Sequence, residues 1–89
     1  MNVRFTKKFY KHYHKAPIHI MKAFDKKLAL FLLDPFHSQL NNHLFSGNRK
    51  GLWSINITGD WRALYVRDGD TIIFELLGTH GNCIDKLLH

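Results

Sequence analysis

His43, Asp60, Arg62 and His80 are the residues of this chain whose types suit proton transfer next to an anion. Imidazole is the side chain whose ordinary pKa suits acid and base roles near neutrality. A guanidinium grips two oxygens of a phosphate or carboxylate at once. There are seven histidines in 89 residues, and His12, His14 and His19 lie among lysines, where they read as surface residues. His43 and His80 differ because each borders a strand-forming stretch, with Asp60 at a bend between them. Two imidazoles and a carboxylate could therefore converge at one end of a sheet. Nothing reads as a metal site: no helical His pair or Cys pair is present, and Cys83 is the only cysteine.

The elements that must position these residues follow from periodicity. Asn2 to Phe5 makes a short first strand. Thr6 is a helix N-cap, since its hydroxyl accepts from a free backbone N–H, and the first helix runs from Lys7 to Lys15. Pro17 stops that helix and suits the first turn of the next. Ile18, Met21, Phe24, Leu28 and Phe31 recur at spacings of three and four, which predicts a second helix from Ile18 to Leu33 with that stripe in the core. Pro35 ends it. The stretch from Ser46 to Gly51 is a loop by composition. From Leu52 the period is two, and Thr71 to Leu77 is a β-rich run that reads as the central strand. This order predicts an α+β domain over residues 1–89. An N-terminal strand and two helices pack on a small antiparallel sheet, which ends in a three-stranded meander.

Turn chemistry then sets the facing. Asp68-Gly69 is a hairpin signal, and a two-residue turn there pairs Tyr65 with Ile72, Ala63 with Phe74 and Arg62 with Glu75. A three-residue bend at Thr58-Gly59-Asp60 pairs Ile57 with Trp61 and Asn56 with Arg62. A two-residue bend would slip the register and mix the faces. Trp53, Ile55, Ile57, Trp61, Ala63, Tyr65, Ile72 and Phe74 then share an apolar face, and Ser54, Asn56, Arg62 and Glu75 a polar one. Ser54 and Asn56 beside Arg62 form a donor-rich patch suited to the substrate side of a phosphate site. The alternative is an ordinary cross-strand ion pair between Arg62 and Glu75, worth little at a surface.

Charge points to a partner. Residues 1–50 hold ten Lys or Arg against Asp25 and Asp34, while residues 51–89 hold three against five acids, within a net charge of +6. A positive field on one part of a small domain suits a polyanion or an acidic protein; a solvated basic surface is the alternative. Lys8, Lys11 and Lys15 line one helix face. Lys22, Lys26, Lys27, Arg49 and Lys50 complete the candidate nucleic-acid surface. The longest apolar run, Leu28 to Leu33, is too short for a bilayer, which needs about 20 residues. The N-terminus has no signal-peptide core, and the lone cysteine fits a reduced, cytoplasmic protein with no membrane partner.

Two stretches, GLWSINITGDWRALY at 51–65 and FELLGTH at 74–80, resemble toxins of bacterial type II toxin–antitoxin modules in the RelE/ParE superfamily, YafQ-like branch. The helical half fits the same layout. The resemblance implies a RelE-like fold and a metal-independent, cofactor-free endoribonuclease, an mRNA interferase. It would act on mRNA at the ribosome by attack of a 2′-hydroxyl on the adjacent phosphate and so inhibit translation. It also implies a cognate antitoxin. The branch's histidine before the Gly-rich loop matches His43, its Asp-Trp pair matches Asp60 and Trp61, and its Gly-Thr-His histidine matches His80. The RelE-like arginine after the bend matches Arg62. Three positions depart: Asn56 stands where the branch has another histidine, Leu76 where it has an arginine, and Ile84 where it has an aromatic. Asn56 hydrogen-bonds but takes up no proton. Two alternatives share the residues: a non-catalytic ParE-like toxin that inhibits DNA gyrase, and an RNA-binding module without nuclease activity. Finding both His43 and His80 favours the nuclease.

Overall fold

Thr6 sits in extended geometry, and its hydroxyl oxygen accepts from the Phe9 N–H at 3.0 Å, so the chain turns from strand to helix there. In this computed structural model the described residues are 1–45 and 51–79. Strand β1 (Asn2–Phe5) is followed by helices α1 (Lys7–Lys15) and α2 (Ile18–Leu33), with Pro17 at the N-cap of α2. A single 3₁₀ turn, Ser38–Leu40, leads to β2 (His43–Leu44), and then come β3 (Trp53–Thr58), β4 (Trp61–Asp68) and β5 (Thr71–Thr79). Among these residues no helix is long and apolar enough to cross a membrane.

The sheet order is β1-β5-β4-β3-β2. β4 is therefore central, not β5 as the β-rich composition suggested, because β1 returns to the outside of β5. It does so in parallel, pairing Asn2 with Thr71 through Phe5 with Phe74, so the sheet is mixed rather than antiparallel throughout. Both helices cover one face. That core is largely aromatic: Phe24 stands edge-on to Phe74 at 5.4 Å, and Phe31 edge-on to Tyr65 at 5.2 Å. Such tilted pairs add about 0.5–1.5 kcal/mol beyond the area they bury. Ile20 replaces Ile18 in the contact: Ile20 is fully buried and Ile18 is 64% exposed. The buried stripe of α2 therefore starts two residues later, at Ile20, and runs on through Phe24 and Phe31.

The predicted apolar face is the helix-covered one. Ile55, Ile57, Ala63, Tyr65, Ile72 and Phe74 are buried in it, with Trp53 and Trp61 half-buried at its margins. The bend between β3 and β4 has two residues, Gly59 and Asp60, with Gly59 at φ +51°, where a side chain would be strained. The faces still do not mix. A bulge at Ile57 absorbs the extra residue, so Asn56 pairs with Arg62 as the longer bend required.

The β4–β5 pairing differs from expectation. The turn is Gly69-Asp70, with Gly69 at φ +60°, so Asp68 pairs with Thr71 and Tyr65 with Phe74. A bulge at Glu75 then brings Leu77 opposite Ala63 and Gly78, not Glu75, opposite Arg62. The expected cross-strand partner of Arg62 is therefore displaced by three residues. Nor is the far face wholly polar. Phe45, Leu52, Leu64 and Leu76 form a second buried cluster there, flanked by Val66.

Candidate active site

β2 carries His43 to the edge of the face that no helix covers among the described residues, here called the helix-free face. It pairs with β3 so that His43 lies opposite Ser54, and directly opposed residues point to the same side of a sheet. The approach to His43 is fixed by two asparagines. Asn41 adopts φ +45°, a left-handed conformation that Asn tolerates. The Asn42 amide donates to the Pro35 carbonyl at 2.9 Å and accepts from the Tyr65 hydroxyl at 2.7 Å. The His43 Nδ1 lies 2.7 Å from the Asn41 carbonyl oxygen. A carbonyl only accepts, so Nδ1 carries the hydrogen and donates. The neutral ring then keeps its lone pair on Nε2, and the side chain is exposed.

Arg62 is half-buried on the same face, opposite Asn56. Its Nη1 donates to the carbonyls of Gly59 at 2.8 Å and of Trp61 at 3.0 Å. The guanidinium is thus tied to the bend that carries the exposed carboxylate of Asp60. A guanidinium has five N–H donors, so anchoring through one nitrogen leaves others for an anion. Asn56 adds a buried Oδ1 with no hydrogen-bond partner among the described residues. Ser54, expected on the substrate side, is only 2% exposed. It is covered in the second cluster's layer and does not meet solvent. Trp61 points the other way, against the helix-covered core, as the bend register required.

The lysines occupy the other side of the molecule. Lys8, Lys11 and Lys15 are exposed on α1 and, with Lys7 and His12, line an open hollow of about 500 Å³. Lys22 and Lys26 are exposed on α2, and Lys27 is half-buried. The sheet therefore separates these cations from His43, Asn56 and Arg62. Arg49, Lys50, His80 and Ile84 lie outside the described residues. Among the described residues no group of three His, Cys, Asp or Glu could hold a metal ion.

One polar residue was misread from sequence. His12 is half-buried, and its Nδ1 accepts from the Leu77 N–H at 3.3 Å. Burial, then the charges of Lys8 and Lys15, push its pKa below the ordinary imidazole value. Its spacing from Phe9 and Ala16, both buried, was the available signal.

No protein-family model matches the chain, and no curated protein matches it. Solved structures do. YafQ from E. coli strain BL21(DE3) superposes with a TM-score of 0.76 at 19% identity, over 90% of this chain and 93% of that one. The chain of a RelB–RelE antitoxin–toxin complex from Methanococcus jannaschii gives 0.74 at 23% identity, over 93% and 96%. A YoeB/ParE toxin from Agrobacterium tumefaciens gives 0.72 at 18% identity, over 90% and 99%. The RelE-like architecture that the two sequence stretches implied is thus the architecture found, and the chain has the fold of the YafQ, YoeB and RelE toxins.

Proposed function

We propose that this chain is the toxin of a type II toxin–antitoxin pair and cleaves mRNA on the ribosome without a metal. The observation that carries the reading is that His43 and Arg62 lie on the same face of the sheet, His43 exposed with Nδ1 held by the Asn41 carbonyl, and Arg62 tied to the bend that carries Asp60. Cleavage by a neighbouring 2′-hydroxyl needs a proton acceptor, charge stabilisation at the phosphate, and a proton for the leaving 5′-oxygen. His43 takes the 2′-hydroxyl proton. The 2′-oxygen bonds to phosphorus as the bond to the 5′-oxygen breaks, and Arg62 offsets the charge gathering on the phosphoryl oxygens. His80, matched by the family resemblance, supplies the proton to the 5′-oxygen. The products are a 2′,3′-cyclic phosphate and a 5′-hydroxyl. Asn56, where the branch has a histidine, can hydrogen-bond through its amide but transfers no proton.

Lys8, Lys11, Lys15, Lys22, Lys26 and Lys27, with Arg49 and Lys50, attract ribosomal RNA in this reading. The chain works in the cytoplasm, and an antitoxin with an acidic segment covers the basic surface. Support for an antitoxin comes from neighbours solved as toxin–antitoxin complexes, DinJ–YafQ and RelB–RelE.

The test is mRNA cleavage on programmed ribosomes by purified variants, with thermal melts as control. His80→Ala and His43→Ala should each lower the rate about 10²-fold, the scale of acid–base residues, with unchanged melts. Full cleavage by both variants would overturn the mechanism. Inhibition of gyrase supercoiling in place of translation would move the chain to the ParE-like reading. Reversing the charge of Lys8, Lys11 and Lys15 together should weaken ribosome binding and flatten its salt dependence, since fewer counterions are released.

A further inference from the structure

β5 runs on past the end of β1. The pairing with β1 stops at Phe5 opposite Phe74, whereas β5 continues to Thr79. Among the described residues, from Glu75 onward that edge of β5 faces α1 rather than a strand. Backbone N–H and C=O groups left on such an edge need other partners. Two side chains stand in for the missing strand. The Thr6 hydroxyl donates to the Glu75 carbonyl at 3.3 Å, and His12 Nδ1 accepts from the Leu77 N–H at 3.3 Å. On its opposite edge the same stretch of β5 pairs with the site: Leu77 with Ala63, Gly78 with Arg62 and Thr79 with Trp61.

We propose that His12 is a positioning residue: it holds Leu77–Thr79 against Trp61–Ala63, so keeps Arg62 in register, and releases that hold when it is protonated. A protonated ring has a hydrogen on both nitrogens, so Nδ1–H would then face the Leu77 N–H, donor against donor. A hollow of about 190 Å³ adjoins the ring, lined by His12, Lys15, Ala16, Trp61, Leu77, Gly78 and Thr79. It gives the imidazole room to swing away. The residues of β4 and β5 that line it carry no charge. On α1 the flanking groups are Lys8 and Lys15, and Lys7 and Lys11 line the adjoining hollow. All of these favour the neutral ring, in line with the lowered pKa. The hold is therefore complete above the ordinary imidazole pKa of about 6.5 and is lost as pH falls through the lower folded-state value.

The experiment follows amide exchange at Leu77 in the full chain, from about pH 8 down to about pH 5, for the wild type, His12→Asn and His12→Ala. The Asn Oδ1 reaches about as far as Nδ1, accepts the same bond and does not titrate. Comparing variants at each pH cancels the intrinsic rate. Wild type and His12→Asn should match at the upper end. At the lower end the wild-type Leu77 amide should exchange about tenfold faster than that of His12→Asn, the scale of one lost hydrogen bond. Ile72, beside β1, should show no such difference, and His12→Ala should exchange fast at Leu77 throughout. Identical pH courses in wild type and His12→Asn would overturn the proposal, as would Ile72 moving together with Leu77. The link to activity rests on the nuclease reading above: His12→Asn should extend cleavage to lower pH. The Leu77 pattern without cleavage by any protein would leave the positioning role standing and overturn the nuclease instead.

Discussion

The two faces of the sheet are built to different rules. The helix-covered face buries Phe9, Phe24, Phe31 and Phe74 to within 2% of full enclosure, with Tyr65 among them. Among the described residues the helix-free face has only the small Phe45, Leu52, Leu64 and Leu76 cluster, and beside it sit Asn56, whose acceptor finds no partner there, and a half-buried Arg62. One face holds the domain together. The other accepts an unsatisfied polar atom and a charge, costs that a stability-only surface would shed. The lesson is that the proposed site residues sit where few packing contacts depend on them.

Phe74→Ala should break the first face. It touches Phe5, Phe9, Phe24, Phe31 and Tyr65. Removing a buried ring of this kind costs about 3–5 kcal/mol, a large part of what a domain of this size has. Denaturant melts would read it. A loss below about 1 kcal/mol would mean that the two faces share the load equally.

The helix-covered half was legible because its signals are local. The Thr6 cap, Pro17, Pro35 and a stripe of period 3.6 each act within a few residues of where they are read. The Asn56–Arg62 pair was legible because mixing the Trp61 and Arg62 faces would bury a charge. The three-residue bend and the Ile57–Trp61 pair were not found: Thr58 pairs with Trp61 across a two-residue bend, and a bulge at Ile57 restores the facing. What failed was non-local or choice-dependent. Asp68-Gly69 and Gly69-Asp70 are both credible turns, and taking the first shifted every β4–β5 pair. The Glu75 bulge then moved Gly78 opposite Arg62, and no periodic pattern announces a single extra residue. β2 is two residues long, too short to leave a pattern. β5 looked central because it is apolar on both faces, and β1 covering its outer edge explains that equally well. The second cluster went unread because only Ser54, Asn56, Arg62 and Glu75 were assigned to that face, and Leu52, Leu64 and Leu76, which share it, were left out. Of the site, Arg62, Asn56 and their pairing were readable from alternation. The His43 tautomer and the His12 bond to Leu77 depend on tertiary contacts that sequence spacing does not encode.

Arg62→Ala should separate the faces in the opposite sense to Phe74→Ala. Cleavage should fall about 10²-fold, as when a preorganised charge is removed from a site, while the melt stays within about 0.5 kcal/mol, as expected for a surface change. A large drop in stability with cleavage intact would show that Arg62 serves the bend alone through the Gly59 and Trp61 carbonyls.

Asn56→Leu sharpens the comparison through the orphaned Oδ1. Leaving a buried acceptor unsatisfied costs about 1–3 kcal/mol. An apolar side chain of similar size should therefore raise stability by about 1 kcal/mol and lower cleavage. A gain in stability with no loss of cleavage would make Asn56 a defect rather than part of the site. Destabilisation would mean that the Asn56 amide makes contacts that matter more than its oxygen lacks.

Tyr65→Phe asks whether the faces communicate. The ring belongs to the helix-covered core, stacked near Trp53 and edge-on to Phe31. Its hydroxyl donates to Asn42, the neighbour of Asn41, whose carbonyl orients His43. Burial raises the tyrosine pKa, more than the hydrogen bond to Asn42 and the charge of Arg67 lower it. The hydroxyl therefore stays protonated and donating near neutral pH. Removing it leaves the ring packing intact and strands the Asn42 acceptor, a cost of about 1 kcal/mol. If the site depended on its own strands alone, cleavage would be unchanged. Because Asn42 also grips the Pro35 carbonyl, the approach to His43 is held at two points, and losing one should loosen the ring without freeing it. The expected result is a melt lowered by about 1 kcal/mol and cleavage reduced by less than about tenfold. Lost cleavage at full stability would make Tyr65 part of the chemistry, and an unchanged melt would show that water replaces the bond.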